Sequence, residues 1–546
     1  MPVAGGEPSV MGRARYGVVV LALSLMVPTG ARAAARCADA DAGAGFAPGG
    51  AALHTRDVAD AEVARAPLRV FAIQYKQSPS YVTDAATYDH KMRCLVEEYV
   101  LPHRGLGVNL VVFNEDTGFA TLALGTAGTA ARALAAAPKP LSPQISDAAG
   151  APPYAAVALV AAGAGHARAL AAYRALFPTE DPRRAILTAA TDTFVRSFMT
   201  TFSRIARDYN LYVASANNQA NFAESTNPVD IATLWNPDHL GEQPPPAVWK
   251  ATSAEVWNTA FMWGPRDVKR LHGDQLAWLD QQLGVPRRTT FARATPSGQY
   301  DPRSNLLAVN KKVPLTSIEQ QFLALSNGDV SPANTGPYQI PALGSAYRFG
   351  FAISLPAFEY GGRAFGSPAP GQSCAPDGST WMSCLDARGV NVVLQTEANP
   401  GPWQTAADGI GTQSVSWGAS TLRAVTDPAV HFAYLVCPMM TGNLVDLPFD
   451  GQTSIMQRGR TGSARHYAGA ALPLPEDGVY ARYAGDHPEF LALAPWVLTD
   501  GNPGSIDAER AARAALKQRA EDMRAGSGSP YENAYLETAI YADLPL

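Results

Sequence analysis

The sequence has few charged residues, and the two signs nearly cancel. Charged residues make up 17% of the 546 positions, and 48 acidic against 43 basic side chains leave a formal net charge of −5. This balance argues against a nucleic-acid-binding protein, which is usually strongly basic. The apolar share of 47% excludes a wholly disordered chain. We therefore expect a folded protein with a large core and no nucleic-acid partner.

Several motifs that carry catalysis or metal binding are missing. The sequence contains no G-x-S-x-G segment, no Gly-Lys pair, no H-E-x-x-H segment and no C-x-x-C pair. Their absence removes the signatures of the α/β-hydrolase nucleophile elbow, the P-loop, the zincin helix and common zinc or thioredoxin sites. The nine histidines are scattered singly. The sequence therefore predicts neither a metal nor a cofactor.

Cysteine is scarce, and its number is odd. Cys374 and Cys384, two of five cysteines, flank a short loop with Gly and Pro, and a disulfide that closes this loop is the most economical pairing. Pairing of Cys37 with Cys94 is the second expectation. It leaves Cys437, which lies in an apolar run, as a buried thiol.

The N-terminal region has the plan of a cleavable secretory signal. Two arginines precede an apolar run at residues 16–27, and an Ala-Arg-Ala sequence follows it. The run is shorter than the roughly 20 apolar residues that a membrane-spanning helix needs. We predict a signal peptide at 1–33, an Ala/Gly-rich linker at 34–66, and a secreted or periplasmic protein without a stable membrane span. Export permits disulfides.

Strand and helix patterns alternate from residue 67 onward. A strand pattern at 68–75 is followed by a helical one at 84–103 and by an apolar run at 108–119, which is interrupted by carboxylates. A buried strand that ends at Glu115 fits this run. Strand, helix, strand is the beginning of an α/β layer architecture. The Ala-rich region at 120–195 reads as helices and loops that decorate the core without carrying chemistry.

Several of these segments resemble the nitrilase, or carbon-nitrogen hydrolase, superfamily. "LVVFNE" places Glu115 where the family has Phe-Pro-Glu, and "VWNTAF" (256–261) matches a family strand. "VNK" approximates the family's Tyr-x-Lys and ends at Lys311, and Glu319 follows eight positions later. The resemblance spans 67–460 and implies an α/β fold, a four-layer α-β-β-α sandwich. Insertions at 120–190, 266–300 and 361–383 interrupt it, and a C-terminal extension follows at 461–546.

The position of the nucleophile departs from the family pattern. The family has Gly-x-x-x-Cys, whereas here Gly350 is followed by Ser354, and Pro356 stands where an Asp is common. A serine hydroxyl is a harder nucleophile to activate, because a free thiol of pKa about 8.5 is already partly ionised at neutral pH. An active serine and a vestigial serine are both open interpretations.

The resemblance assigns a role to each candidate residue. Glu115 would be the general base, Lys311 would stabilise the oxyanion, and Ser354 would form the acyl-enzyme. Glu319 would orient the lysine or the substrate, and the N–H of Leu355 would also bind the oxyanion. Two alternatives stay open. Lys312 could be the lysine that points inward, and Glu319 could lie on a solvated helix face.

The function implied by the resemblance is hydrolysis of small-molecule amides by a secreted enzyme, nearest to the biotinidase and pantetheinase branch. The resemblance also implies a homodimer. One alternative is a catalytically inactive homologue that binds a ligand or partner in the same pocket. Another is an acyltransferase that passes the acyl group to an amine.

Overall fold

The computed structural model of the chain describes residues 67–137, 153–236, 244–268, 271, 274–363, 374–400, 413–449, 451–467, 485–494 and 537–546. The predicted signal peptide and linker lie outside these residues, as does much of the predicted C-terminal extension. The strands are β1 (Leu68–Gln74), β2 (Lys76–Gln77), β3 (Val108–Val112), β4 (Tyr212–Ser225), β5 (Val248–Trp263), β6 (Leu306–Lys311), β7 (Phe349–Phe351), β8 (Val392–Leu394), β9 (Tyr434–Cys437), β10 (Thr441–Leu444), β11 (Leu447–Phe449), β12 (Ser454–Gln457), β13 (Arg465–Tyr467), β14 (Gly485–His487), β15 (Phe490–Leu493) and β16 (Thr538–Asp543).

The helices are α1 (Ala85–Tyr99), α2 (Thr129–Ala136), α3 (Pro153–Gly165), α4 (Ala167–Leu176), α5 (Pro182–Ala189), α6 (Thr191–Phe194), α7 (Thr200–Asp208), α8 (Pro228–Leu234), α9 (Gln275–Leu283), α10 (Ser317–Gln321), α11 (Pro332–Thr335), α12 (Trp381–Ala387) and α13 (Gln413–Thr426). A π-helical stretch at Val195–Met199 joins α6 to α7.

Two mixed sheets form the centre of the described structure. In the first sheet the strand order is β16-β1-β3-β4-β5-β6, and in the second it is β15-β12-β9-β8-β7. The strands β1, β3 and β4 are parallel, as are β7, β8 and β9, whereas the outer strands join by antiparallel pairing. Of these strands, β1, β3, β7, β8 and β9 are mostly apolar, as expected of strands that are covered on both faces, whereas β4 has a polar middle.

The side chains of β1 show how the layers are arranged. Successive residues of a strand point to opposite faces of a sheet. Val70 belongs to an apolar cluster that includes Leu394 of the second sheet, so one face of the first sheet packs on the second. Phe71 belongs to another cluster, with Met92 of α1 and Phe202 of α7, so the opposite face packs on helices.

Helices also cover the far face of the second sheet. Val393 of β8 belongs to a cluster with Leu385 of α12 and Leu422 of α13. Neighbouring Leu394 faces the first sheet. The order of layers is therefore helix, sheet, sheet, helix, which confirms the predicted four-layer α-β-β-α sandwich.

The stretch predicted as a C-terminal extension supplies an outer strand to each sheet. β16 pairs with β1 at the edge of the first sheet, and β15 pairs with β12 at the edge of the second. Ile540 of β16 is buried in the cluster between the two sheets. Arg69 of β1 also forms an ion pair with Asp543 of β16, with Nη2 and Oδ2 2.8 Å apart. These strands are therefore integral to the sandwich.

The cysteine predictions have separate outcomes. Cys374 and Cys384 form the predicted disulfide, and Cys437 is a buried free thiol. Cys94 is disulfide-bonded, while Cys37 lies outside the described residues.

No single helix of the described segments is long and apolar enough to cross a membrane. The pair α3 and α4 together meets that test of length and composition but is bent by 86° at its junction.

Candidate active site

The candidate residues follow strands at one edge of the sandwich. Glu115 comes shortly after β3, Lys312 directly after β6, and Ser354 shortly after β7. In open α/β sheets, ligands bind beyond the carboxyl ends of the strands. All three residues line one cavity, together with Glu319 of α10.

A single lysine holds two glutamates together. The Lys312 ammonium lies 2.8 Å from Glu115 Oε1 and 2.8 Å from Glu319 Oε2. Asn258 of β5 donates through Nδ2 to the same two carboxylates, at 2.6 Å to Glu115 and 2.7 Å to Glu319. The backbone N–H of Ala398 donates to the second oxygen of Glu115 at 3.0 Å. Both carboxylates are therefore fixed by shared donors in a buried position.

Local sequence explains why Glu319 is rigid. Thr316 and Glu319 form a capping box at the start of α10. Glu319 Oε2 accepts from the Thr316 backbone N–H at 2.8 Å and from its hydroxyl at 2.7 Å, while the Thr316 hydroxyl accepts from the Glu319 N–H at 3.4 Å. The T-x-x-E spacing is the sequence signature of this cap. Glu319 thus lies at the start of a helix with its carboxylate in the site, not on a solvated face.

The expectation for Lys311 requires correction. Its ammonium lies 3.4 Å from the centroid of the Trp257 ring, and burial lowers the pKa of Lys311 to about 8. Lys312, the alternative, is the lysine that binds Glu115. Consecutive residues of extended chain point to opposite sides, so only one of the two lysines can reach the glutamates. Both lysines are buried in the structure. A sequence pattern of buried and exposed positions therefore could not show which of them faces the glutamates.

Ser354 has an unusual backbone conformation. Its φ of 61° and ψ of −114° are sparsely populated by residues other than glycine, and such conformations cost about 1–3 kcal/mol. The surrounding chain enforces this conformation. The Ser354 N–H donates to the carbonyl of Thr396 at 3.0 Å, and its carbonyl accepts from Ala357 at 2.9 Å, within the one-turn helix Leu355–Phe358. Strain of this kind is common at functional sites.

The Ser354 hydroxyl is linked to a second buried carboxyl group. It donates to Asn399 Oδ1 at 3.3 Å, and Asn399 Nδ2 in turn donates to Glu397 Oε2 at 2.7 Å. Gln395 donates to the other oxygen of Glu397 at 2.7 Å. These hydrogen bonds fix the orientation of the Asn399 amide, whose oxygen accepts the hydrogen bond from the serine hydroxyl.

Acidic groups outnumber the lysine. Burial raises the pKa of Glu115, although the Lys312 ammonium opposes that rise. Burial and then the charge of Glu115 raise the pKa values of Asp116 and Glu397 well above the ordinary range. Burial alone would lower the pKa of Lys312, but Glu115 and Glu319 outweigh it and raise that pKa. The two glutamates therefore favour the charged form of Lys312, and burial makes the Glu115 carboxylate more basic than an ordinary glutamate.

A cavity of about 150 Å³ opens onto these groups. The polar residues of its lining include Glu115, Asp116, Lys312, Glu319, Ser354 and Asn399, and most of the remaining wall is apolar. The buried and charged residues thus meet a space large enough for a small molecule, which is the usual arrangement of a binding or active site.

The comparisons with known proteins give structural matches only. A carbon-nitrogen hydrolase from Helicobacter pylori G27 matches at 9% identity over 84% of this chain and 92% of that chain, with a TM-score of 0.35. The amidase from Nesterenkonia sp. AN1 matches at 13% identity over 76% of this chain and 95% of that chain, with a TM-score of 0.33. A cysteine-to-serine variant of the same amidase, from the nitrilase superfamily, matches at 12% identity over 76% and 94%, with a TM-score of 0.29. A scan against protein-family models and a search of curated proteins find no match.

Sequence reasoning missed several polar residues of the site. Asn258 lies in the matched "VWNTAF" strand, but its link between two glutamates was not predicted. Glu397, Ala398 and Asn399 follow β8 in the sequence "TEAN", and a carboxylate and an amide directly after a buried strand were the available signal. The free thiol Cys437 does not replace the family cysteine, because it is buried in β9, and burial raises its pKa well above the ordinary value.

Proposed function

We propose that the protein is a secreted hydrolase of carbon-nitrogen bonds in small amides, with Ser354 as nucleophile, Glu115 as general base and Lys312 as oxyanion-binding cation. The observation that carries this proposal is the buried Glu115–Lys312–Glu319 cluster, which shares a cavity with the strained Ser354. Perturbed carboxyl groups beside a cavity favour catalysis over a purely structural role.

In the acylation half of the reaction, Ser354 transfers its proton to Glu115 while its oxygen attacks the amide carbon. The negative charge that forms on the carbonyl oxygen is stabilised by the Lys312 ammonium and by the N–H of Leu355. The carbon-nitrogen bond then breaks, and the leaving amine takes the proton from Glu115. The acyl group remains on Ser354 as an ester.

Water completes the reaction. It gives a proton to Glu115 and attacks the ester carbon, the bond to the serine oxygen breaks, and Ser354 recovers its proton as the acid leaves. Before acylation the Ser354 hydroxyl has to turn from Asn399 towards Glu115. Such rearrangement on substrate binding is common, since catalytic hydrogen bonds are often formed only in the complex.

Serine requires a stronger base than the family's cysteine does. The raised pKa of Glu115 supports this role, because a more basic carboxylate accepts the hydroxyl proton more readily. Glu319 and Asn258 support the same carboxylate without accepting the proton themselves, so they are positioning residues.

The test compares amide hydrolysis by the wild type with that by Ser354→Ala and Ser354→Cys, in the chain that begins after residue 33. We expect the wild type to release amine from amides and Ser354→Ala to lose at least about 100-fold in kcat/KM. Mass spectrometry should detect an acyl group on Ser354 of the wild type. If the Ser354→Ala variant retains wild-type activity, the proposed nucleophile is wrong.

A second candidate function is ligand binding without catalysis. It is favoured by the hydrogen bond from Ser354 to Asn399 and by Pro356 at the position where the family often has Asp. Turnover by Ser354→Cys but not by the wild type would support this function, because it would reveal an intact site that lacks only the nucleophile. Product formation that depends on added amine would instead support acyl transfer.

A further inference from the structure

The insertion at 120–190 forms part of the wall of the candidate active site. Helices α2 and α3 lie within this insertion and contribute apolar side chains to the cavity. These residues are Ala131, Ala135, Ala155, Ala158, Leu159 and Ala162. The region that sequence patterns presented as decoration therefore shapes the space that a substrate would enter.

Other apolar side chains extend the same wall. Phe322 follows α10, and Leu447 and Phe449 come from β11. Ala158 is buried together with Leu447 and Phe449 in one apolar cluster. We call this space, bounded by α2, α3, α10 and β11, the apolar chamber. It belongs to the cavity that Ser354 also lines. Arg132 of α2 lines this cavity too, but its guanidinium donates to the backbone carbonyls of Ala123 and Gly125, so the chamber offers few polar partners to a ligand.

Gln77 is a polar exception in the wall. Gln77 is only 1% exposed and lies in β2, and its backbone pairs with that of β10. Within the described residues neither the nitrogen nor the oxygen of its side-chain amide has a hydrogen-bond partner. A buried amide that lacks partners is costly. A ligand group that both donates and accepts hydrogen bonds would satisfy it.

We propose that the chamber binds an apolar group of about the size of a benzene ring on the acyl side of the substrate, and that Gln77 binds a hydroxyl carried by that group. This proposal rests on the proposed function in one respect: the acyl side of the amide enters the chamber because the acyl group is the part that becomes attached to Ser354. The volume sets the upper limit of this size, because the whole cavity, including its polar part, measures about 150 Å³, and an apolar cavity of that volume accommodates benzene. The substrate class is thus hydroxyaryl acyl amides, in preference to short polar amides.

The experiment measures binding by calorimetry to the Ser354→Ala variant, which removes turnover. The probes are acetamide, phenylacetamide and its 3- and 4-hydroxy derivatives. Burial of the ring should make phenylacetamide bind on the order of 10- to 100-fold more tightly than acetamide. One hydroxy derivative should bind about 10-fold more tightly than phenylacetamide.

Two further substitutions locate the ligand. Ala158→Phe, which fills the chamber, should abolish the preference for the ring. Val160→Phe is its control, since Val160 lies on the same helix but is 66% exposed and does not line the chamber. Gln77→Leu should remove the preference for the hydroxyl and keep the preference for the ring.

The outcomes separate this proposal from the proposed function. Equal binding of acetamide and phenylacetamide would overturn the chamber as the binding site for an apolar group, whatever the wild type hydrolyses. Preferential binding of the ring with no hydrolysis by the wild type would support the chamber and reject the proposed function. If Ala158→Phe does not fold, a series of straight-chain amides decides. Affinity should rise about fourfold per methylene and stop rising near six carbons, and a flat series would overturn the proposal.

Discussion

Two buried lysine-glutamate groups in this protein have different surroundings. At the candidate active site, Lys312 serves both Glu115 and Glu319, and the group faces a cavity. At the edge of the first sheet, Lys91 of α1 pairs with Glu537, 446 residues later, and neither residue lines that cavity. All five side chains are largely buried.

The difference between the groups lies in charge balance and access. The Lys91 ammonium also lies 4.7 Å from the centroid of the Tyr81 ring, and Glu537 accepts a backbone hydrogen bond from Lys76 at 3.2 Å. This pair joins β16 and its flanking chain to α1 and β2. The Lys312 group instead concentrates carboxylates around one cation beside open space. Burial of opposite charges is therefore insufficient evidence of catalysis, whereas excess acid, backbone strain and a cavity together are the features that support the proposed catalysis.

The largest expected effect comes from removal of the shared cation. Lys312→Met should lower kcat/KM by about 100- to 1,000-fold, because oxyanion stabilisation is lost. It should also lower the free energy of unfolding by about 3–5 kcal/mol, because two buried carboxylates lose their partner. Amide hydrolysis and urea unfolding measure the two quantities.

Lys311→Met is the matched control for this prediction. The neighbouring lysine is buried, but it contacts Trp257 and not the glutamates, so we expect activity to stay close to that of the wild type. Equal losses of activity in the two variants would contradict the assignment of Lys312 to the site.

The second prediction concerns the structural pair. Glu537→Gln leaves Lys91 buried without its carboxylate and should lower the free energy of unfolding by about 3 kcal/mol. The kcat/KM of the folded fraction should not change, since the pair lies outside the cavity. A large fall in kcat/KM with unchanged stability would show that this group, too, serves the reaction.

The alternation of strands and helices was predictable because the strands are locally distinct, whereas the four-layer order was implied by the family resemblance. The runs that became β1 and β3 are apolar and end in polar residues, and Glu115 lies just beyond β3. The position of β16 was not predictable in this way. Its pairing with β1 joins Arg69 to Asp543 across 474 positions, and no local pattern specifies a partner at such a separation.

The candidate site was predictable where a motif names a residue and not where three-dimensional packing selects one. Glu115, Glu319 and Ser354 follow from motif positions, and all three line the cavity. The choice between Lys311 and Lys312 depends on the direction of the chain at the end of β6, where every residue is buried and no alternation of polar and apolar side chains exists. Similarly, the alanines of α2 and α3 carry no functional group, so only their position reveals a role.

The smallest expected effect is a change in the pH dependence of hydrolysis. Burial raises the pKa of Glu115, and the charge of Glu319 adds to that rise. Because the reaction needs ionised Glu115, activity should be present above this pKa and be lost as the pH falls through it. The midpoint of the acidic limb should lie above the ordinary glutamate value of about 4.3.

Glu319→Gln sharpens this prediction, because glutamine can keep the capping box while it removes the negative charge. The acidic limb of kcat/KM should move to lower pH, since the group that helps to raise the pKa of Glu115 is gone. Activity at the optimum should fall less than in Lys312→Met, because Lys312 still binds Glu115. A pH profile of kcat/KM for both proteins measures the shift, and an acidic limb that stays in place or moves upward would mean that Glu115 is not the base.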